Sequence, residues 1–168
     1  ARFSAGSPVT LIVGALPSTA ALIVGLLCYR WLDRWEPEPT RLTVMALIWG
    51  GSAGVIFSFL VEMAIPASEF VTMAIVAPLA EELAKASVFI LVATGARKLE
   101  LTSLTDHIFY AGICALGFAF VENLGYFALS SSAGEFVVMT LVRTGFGVFG
   151  HPLYTTATAV GIWAWRTK

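Results

Sequence analysis

Long apolar runs separated by short polar segments dominate the hydrophobicity pattern of the chain. An apolar stretch of about 20 residues is long enough to cross a bilayer as a helix. Such stretches lie at residues 9–28, 42–65, 70–96, 104–130 and 136–165. The pattern therefore predicts an all-α fold, a polytopic transmembrane bundle of about five spanning helices, in which residues 1–168 form a single transmembrane domain.

Basic residues outside the apolar runs indicate an orientation, because short loops rich in lysine and arginine stay in the cytoplasm. The first and third loops and the C-terminal end carry these residues, whereas the second and fourth loops have none. They are Arg30, Arg34, Arg41, Arg97, Lys98, Arg166 and Lys168. Arg2 is the exception. The distribution predicts an N-terminus outside and a C-terminus in the cytoplasm.

Composition agrees with a membrane protein. Of the 168 residues, 58% are hydrophobic and 12% charged, and the mean hydropathy is +0.84. A formal net charge of -1 provides no basic surface for nucleic acid. Cys28 and Cys114 lie in apolar runs without the spacing of a metal site or a disulfide framework. An ordinary soluble domain and a nucleic-acid-binding protein are both excluded.

A small set of polar side chains falls inside the apolar runs. A charge at the bilayer centre costs about 2.5–3.5 kcal/mol on insertion scales unless it is paired or reaches water. We therefore expect these side chains to converge in one pocket, at mid-depth or slightly towards the outer side. The set consists of Glu81, Glu82, Lys85, Glu122, Asn123, Arg143 and His151.

Helical spacing separates the two adjacent glutamates. Glu81 and Lys85 are four residues apart and share a helix face, whereas Glu82 points about 100° away. This spacing predicts a structural pair of Glu81 and Lys85 that leaves Glu82 free for chemistry.

Carboxylates and an imidazole in one pocket can activate a water molecule. They do so as a general base, or by holding a divalent metal that lowers the pKa of the water. Asn123, Arg143 or His151 could donate hydrogen bonds to the oxyanion of a tetrahedral intermediate. The residues alone equally allow paired structural charges or a path for ions or protons.

Small residues predict close approach of the helices that carry these groups. The predicted contact positions are Ala77, Ala80, Ala84, Gly112, Gly117, Ala119, Gly145, Gly147 and Gly150.

Several sequence blocks, in this order, resemble the PrsW family of intramembrane proteases. They are WEPEP at 35–39, EExxK at 81–85, DxxxYxG at 106–112 leading into GFAFVEN at 117–123, then Arg143, HxxxTT at 151–156 and Gly161. The resemblance covers residues 31–161, and it extends distantly to the CAAX prenyl endopeptidases and bacteriocin-processing membrane proteases.

The resemblance implies a peptidase of the bacterial plasma membrane, a multi-pass protein that takes part in regulated proteolysis. Its expected partner is a single-span, anti-sigma-factor-like regulator, cleaved on the extracytoplasmic side in response to envelope stress. The implied catalytic residues are Glu81, Glu82, Glu122, Asn123 and His151, supported by Lys85 and Arg143.

The resemblance leaves a glutamic and a metallo mechanism open. Glu82, Glu122 and His151 would form an acceptable zinc-binding set, although glutamate-activated water without a cofactor is slightly preferred. A membrane ion or proton conductor and a non-catalytic membrane scaffold are the alternative functions. Family members commonly continue with a further helix that carries another histidine near a Trp-Asn pair, so the chain is expected to be truncated at its C-terminus relative to the family.

Overall fold

A computed structural model gives the structure of the protein and describes residues 8–95, 101–145 and 147–168. These residues form helices joined by short connections, and the described part of the chain contains no β-strand. The helices are α1 Pro8–Leu32, α2 Thr40–Ala64, α3 69–86, α4 Val88–Gly95, α5 Leu104–Leu129, α6 Ala133–Gly145 and α7 Gly147–Arg166. The predicted all-α membrane bundle is confirmed.

By length and composition, the described residues contain four helical segments that are apolar enough to cross a membrane. They are Pro8–Leu32, Thr40–Ala64, Leu104–Leu129 and Ala133–Arg166. These segments match the first, second, fourth and fifth predicted spans to within a few residues.

The predicted third span, 70–96, differs from the other four. It is helical, but it divides at Ser87 into α3 and α4, and α3 carries the charged residues Glu81, Glu82 and Lys85. Ser87 donates a hydrogen bond to the carbonyl of Ala84 at 2.6 Å and accepts one from the indole of Trp49 at 2.8 Å. The last residue of the predicted third span, position 96, lies outside the described residues. α3 packs against α2, α5 and α7.

α5 lies at the centre of the bundle, where α1, α2 and α7 pack around it. Its N-terminus is fixed by a capping box, in which the Ser103 hydroxyl accepts from the backbone of Asp106 and the Asp106 carboxylate accepts from the backbone of Ser103. Asp106 is thus a capping residue, as its place at a helix start indicates. Further along α5, the buried Tyr110 donates a 2.6 Å hydrogen bond to Glu38 of the WEPEP segment.

Glycines allow α2 and α5 to touch backbone to backbone. A Cβ atom on Gly50 would lie 1.9 Å from the carbonyl oxygen of Cys114, and one on Gly117 would lie 2.0 Å from that of Leu47. Gly50 opens the π-helical turn Gly50–Gly54 within α2. The predicted close contact at Gly117 is therefore confirmed.

Two glycines of the fifth predicted span, Gly145 and Gly150, do not serve the same purpose, and the contacts of the third, Gly147, lie outside what the structure describes. A Cβ atom at Gly145 or Gly150 would meet no atom within 4 Å, so the predicted helix contact at these two positions is wrong. Gly150 instead borders an open cavity.

Candidate active site

Lys85 is the buried centre of the polar cluster on α3. Its ammonium Nζ lies 3.1 Å from Oε2 of Glu81 and 3.1 Å from Oε1 of Glu82. Spacings of four and three residues bring both carboxylates to the same cation on one helix. The expectation that Glu81 alone pairs with Lys85 while Glu82 stays free is therefore wrong, because a flexible lysine reaches both faces.

His151 of α7 joins α3 to α5 through both ring nitrogens. Its Nδ1 lies 2.9 Å from Nζ of Lys85 and 3.6 Å from Oε2 of Glu81. Its Nε2 lies 2.8 Å from Oε2 of Glu122. Three helices thus meet at one imidazole, and the expected convergence of the polar set is confirmed.

The second glutamate motif carries its own cation. Arg143 of α6 forms an ion pair through Nη2 with Oε2 of Glu122, and its Nε donates to Oδ1 of Asn123 at 2.7 Å. Glu122 is thus the glutamate of the cluster that pairs with Arg143. Three carboxylates face two cations, so the group has an excess of one negative charge when His151 is neutral.

Glu82 is held by two threonines that the sequence analysis did not assign to the site. Thr155 donates to Oε1 of Glu82 at 3.1 Å, and Thr158 donates to Oε2 at 3.3 Å. They lie four and seven residues after His151, which is the spacing of one helix face. Their spacing from His151 could have indicated from the sequence that both threonines face the site.

Aromatic rings cover the two cations. Nζ of Lys85 lies 4.2 Å from the centroid of the Phe118 ring, and the guanidinium carbon of Arg143 lies 3.9 Å from that of Tyr126. Such contacts stabilise a cation in a site with little water.

A cavity of about 780 Å³ reaches this cluster from the side of α3, α6 and α7. Its polar lining includes Glu81, Glu82, Arg143, His151 and Thr158, and the side chains are only partly exposed. Its apolar lining is provided by Pro78, Leu79, Val142 and Tyr154, with Gly150. A cavity of this size can admit an extended peptide segment and water.

Three residues of the cluster are arranged so that they could bind a metal ion. Among the described residues, Glu81, Glu122 and His151 each offer one ligand atom, and these three atoms lie within 4.8 Å of one another. Two carboxylate oxygens and one imidazole nitrogen suit zinc, with an open coordination position. The zinc-binding set expected from the sequence was Glu82, Glu122 and His151. The structure brings Glu81 to this position instead, because the Glu82 carboxylate turns towards Thr155 and Thr158.

The fold and the site define a class of protein: a polytopic helix bundle with several apolar helices long enough to cross a membrane, in which carboxylates and an imidazole meet beside a cavity. The comparison with known families gives the family itself. The chain belongs to the PrsW family, because the family described as PrsW family intramembrane metalloprotease matches residues 38–168. It is accordingly a multi-pass membrane protein and an intramembrane peptidase. Neither the curated proteins nor the solved structures gave a significant match.

Proposed function

We propose that this protein hydrolyses a peptide bond of a single-span regulatory protein at the cluster formed by Glu81, Glu122 and His151. These three residues lie together, and two of them, Glu81 and His151, line a cavity in the bundle; this observation supports the function best. An anti-sigma-factor-like substrate, cleaved towards the extracytoplasmic side of a bacterial plasma membrane in response to envelope stress, is the partner that the family resemblance favours.

Glu81 is the better general base of the adjacent pair. From the described residues it accepts one hydrogen bond, from Lys85, whereas Glu82 accepts from Lys85, Thr155 and Thr158. A carboxylate that accepts fewer hydrogen bonds from the protein has more lone pairs left to accept one from a water molecule. Glu81 therefore takes the proton of the attacking water and passes it to the leaving amine, while Glu82 anchors α3 to α7.

Arg143 is placed to stabilise the oxyanion. A guanidinium has five N–H donors, and the contacts with Glu122 and Asn123 are made through its Nη2 and Nε. Because Arg143 also borders the cavity, its other donors can face the carbonyl oxygen of a bound peptide.

The cluster also suits a divalent metal. Glu81, Glu122 and His151 would hold it, and a bound zinc would lower the pKa of a water molecule and polarise the scissile carbonyl. Glu82 and Arg143 then keep the same anchoring and oxyanion-binding roles.

The proposed function is tested by cleavage of a fluorescent, single-span, anti-sigma-factor-like protein in proteoliposomes. Glu81→Gln keeps the shape of the side chain and removes its proton affinity, so we expect kcat to fall about 10²–10⁴-fold. Glu69→Gln is the matched control, because Glu69 is exposed in the first turn of α3, and it should leave cleavage unchanged. Full activity of Glu81→Gln would rule out Glu81 as the base.

Chelation separates the two mechanisms in the same assay. If cleavage stops on dialysis against a chelator and returns with zinc, the metallo mechanism holds. If cleavage persists in metal-free protein, the carboxylate activates water alone. Ion flux across the same vesicles without cleavage would favour the alternative function of a conductor.

A further inference from the structure

The hydrogen-bonding capacity of Lys85 is fully used. A lysine ammonium has three N–H donors and no acceptor. Nζ of Lys85 has three acceptors within hydrogen-bond distance, Oε2 of Glu81, Oε1 of Glu82 and Nδ1 of His151, at 2.9–3.1 Å. Its residue exposure is 0%. The ammonium therefore occupies the space between the carboxylate pair and the imidazole, as a bound cation would.

The contact with Lys85 fixes the tautomer of His151. Because an ammonium only donates, Nδ1 of His151 must be the acceptor and carry no hydrogen. In the neutral ring the hydrogen is then on Nε2, which donates to Glu122 at 2.8 Å. The one lone pair of His151 that could bind a metal is thus already taken by Lys85.

Metal binding through either ring nitrogen of His151 would require Nδ1 to release Lys85. If Nδ1 is the ligand, its lone pair leaves the ammonium. If Nε2 is the ligand, the ring hydrogen moves to Nδ1, and two N–H donors then face each other. Both routes break the contact between Lys85 and His151, whichever nitrogen coordinates.

We propose that Lys85 is a positioning residue that competes with a divalent metal for His151 and so sets the metal affinity of the site. This inference rests on the metal-binding form of the proposed function. After Lys85 releases His151, its ammonium keeps the Oε1 atom of Glu82 and the face of Phe118, 4.2 Å from Nζ, as neighbours even if Oε2 of Glu81 turns to the metal. The ammonium can therefore stay buried after it releases His151.

Zinc affinity of the purified protein in detergent, measured by competition with a chromophoric chelator, tests the proposal directly. Lys85→Met removes the donor, and loss of a charge-assisted hydrogen bond should tighten zinc binding by about tenfold or more. Lys85→Arg keeps both charge and donors and should bind zinc like the wild type.

A second variant separates competition from net charge. Arg143→Met removes one positive charge from the same cluster without removing a contact of His151. We expect a smaller gain in zinc affinity than for Lys85→Met. Equal gains in the two variants, or no gain for Lys85→Met, would overturn the proposal.

A measurement on the unmodified protein covers the case in which Lys85→Met does not fold. The chain has 2 histidines, so ¹⁵N spectra of labelled histidine, with His107→Gln for assignment, resolve His151. Without metal, Nδ1 of His151 should give the signal of an unprotonated nitrogen and Nε2 that of a protonated one, and zinc should change this pattern. The opposite tautomer in the metal-free protein would overturn the proposal. None of these readouts needs a substrate, so failure of the cleavage assay does not affect them.

Discussion

At the scale of single residues, two threonines of α7 hold the Glu82 carboxylate. Thr155 is fully buried, and it and Thr158 each donate to a different oxygen of Glu82. A carboxylate held at both oxygens keeps one orientation, so these threonines fix the rotation of α3 relative to α7. Neither residue is charged, which is why hydropathy along the chain did not single them out.

Replacing both threonines by valine should therefore impair catalysis. A hydrogen bond to a charged group contributes about 1.5–3 kcal/mol, so we expect Thr155→Val with Thr158→Val to lower kcat/KM at least tenfold. The cleavage assay in proteoliposomes measures this. Thr156→Val is the matched control, because Thr156 lies on the same helix but borders a separate apolar cavity. An equal loss in the control would show that the effect arises from general disturbance of α7.

At the scale of helices, the approach of α2 and α5 depends on glycine. Gly117 faces the carbonyl oxygen of Leu47, and the backbone nitrogen of Gly51 would lie 3.2 Å from a Cβ at this position. Backbone atoms cannot rotate away as a side chain can, so the helices must move apart if a methyl group is added.

Gly117→Ala should destabilise the bundle for this reason. Overpacking in a well-packed core typically costs about 1–3 kcal/mol, and we expect a loss at the upper end of this range. Thermal unfolding in detergent, followed by circular dichroism, gives the measurement. Gly125→Ala on the same helix is the control: a Cβ there meets nothing within 4 Å, so stability should stay the same or rise slightly. Equal melting temperatures for the two variants would contradict the backbone contact.

For the third predicted span, the hydrophobicity pattern predicted the helical structure but not its interruptions. Its apolar flanks predicted a helix correctly, but the interruption at Ser87, whose hydroxyl accepts a hydrogen bond from Trp49, 38 residues away, was not expected. Local sequence does not contain that contact. The π-helical turn Thr72–Val76 within α3 was not expected either.

At the scale of the whole molecule, orientation in the bilayer stays a prediction. The connection between α1 and α2 follows Arg30 and precedes Arg41, whereas the connection between α5 and α6 has no basic residue. The first should be cytoplasmic and the second extracytoplasmic.

Cysteine labelling in intact cells tests this orientation. In a background in which both native cysteines are replaced by serine, Ser131→Cys should react with a membrane-impermeant maleimide in intact cells. Glu36→Cys should react only after permeabilisation. The reverse pattern would place the α5–α6 connection in the cytoplasm, contrary to the prediction.

The sequence by itself determined the class of protein, the positions of most helices and the set of polar residues that come together inside the bundle. These properties follow from local hydropathy and from residue types that are costly to bury in lipid. The tertiary structure decided how those residues are paired. It placed Glu81, rather than Glu82, beside His151 and Glu122, and it gave Lys85 three acceptors on two helices. The physical reason is that such pairing depends on how helices distant in sequence rotate and pack against one another, which the periodicity of a single helix does not specify.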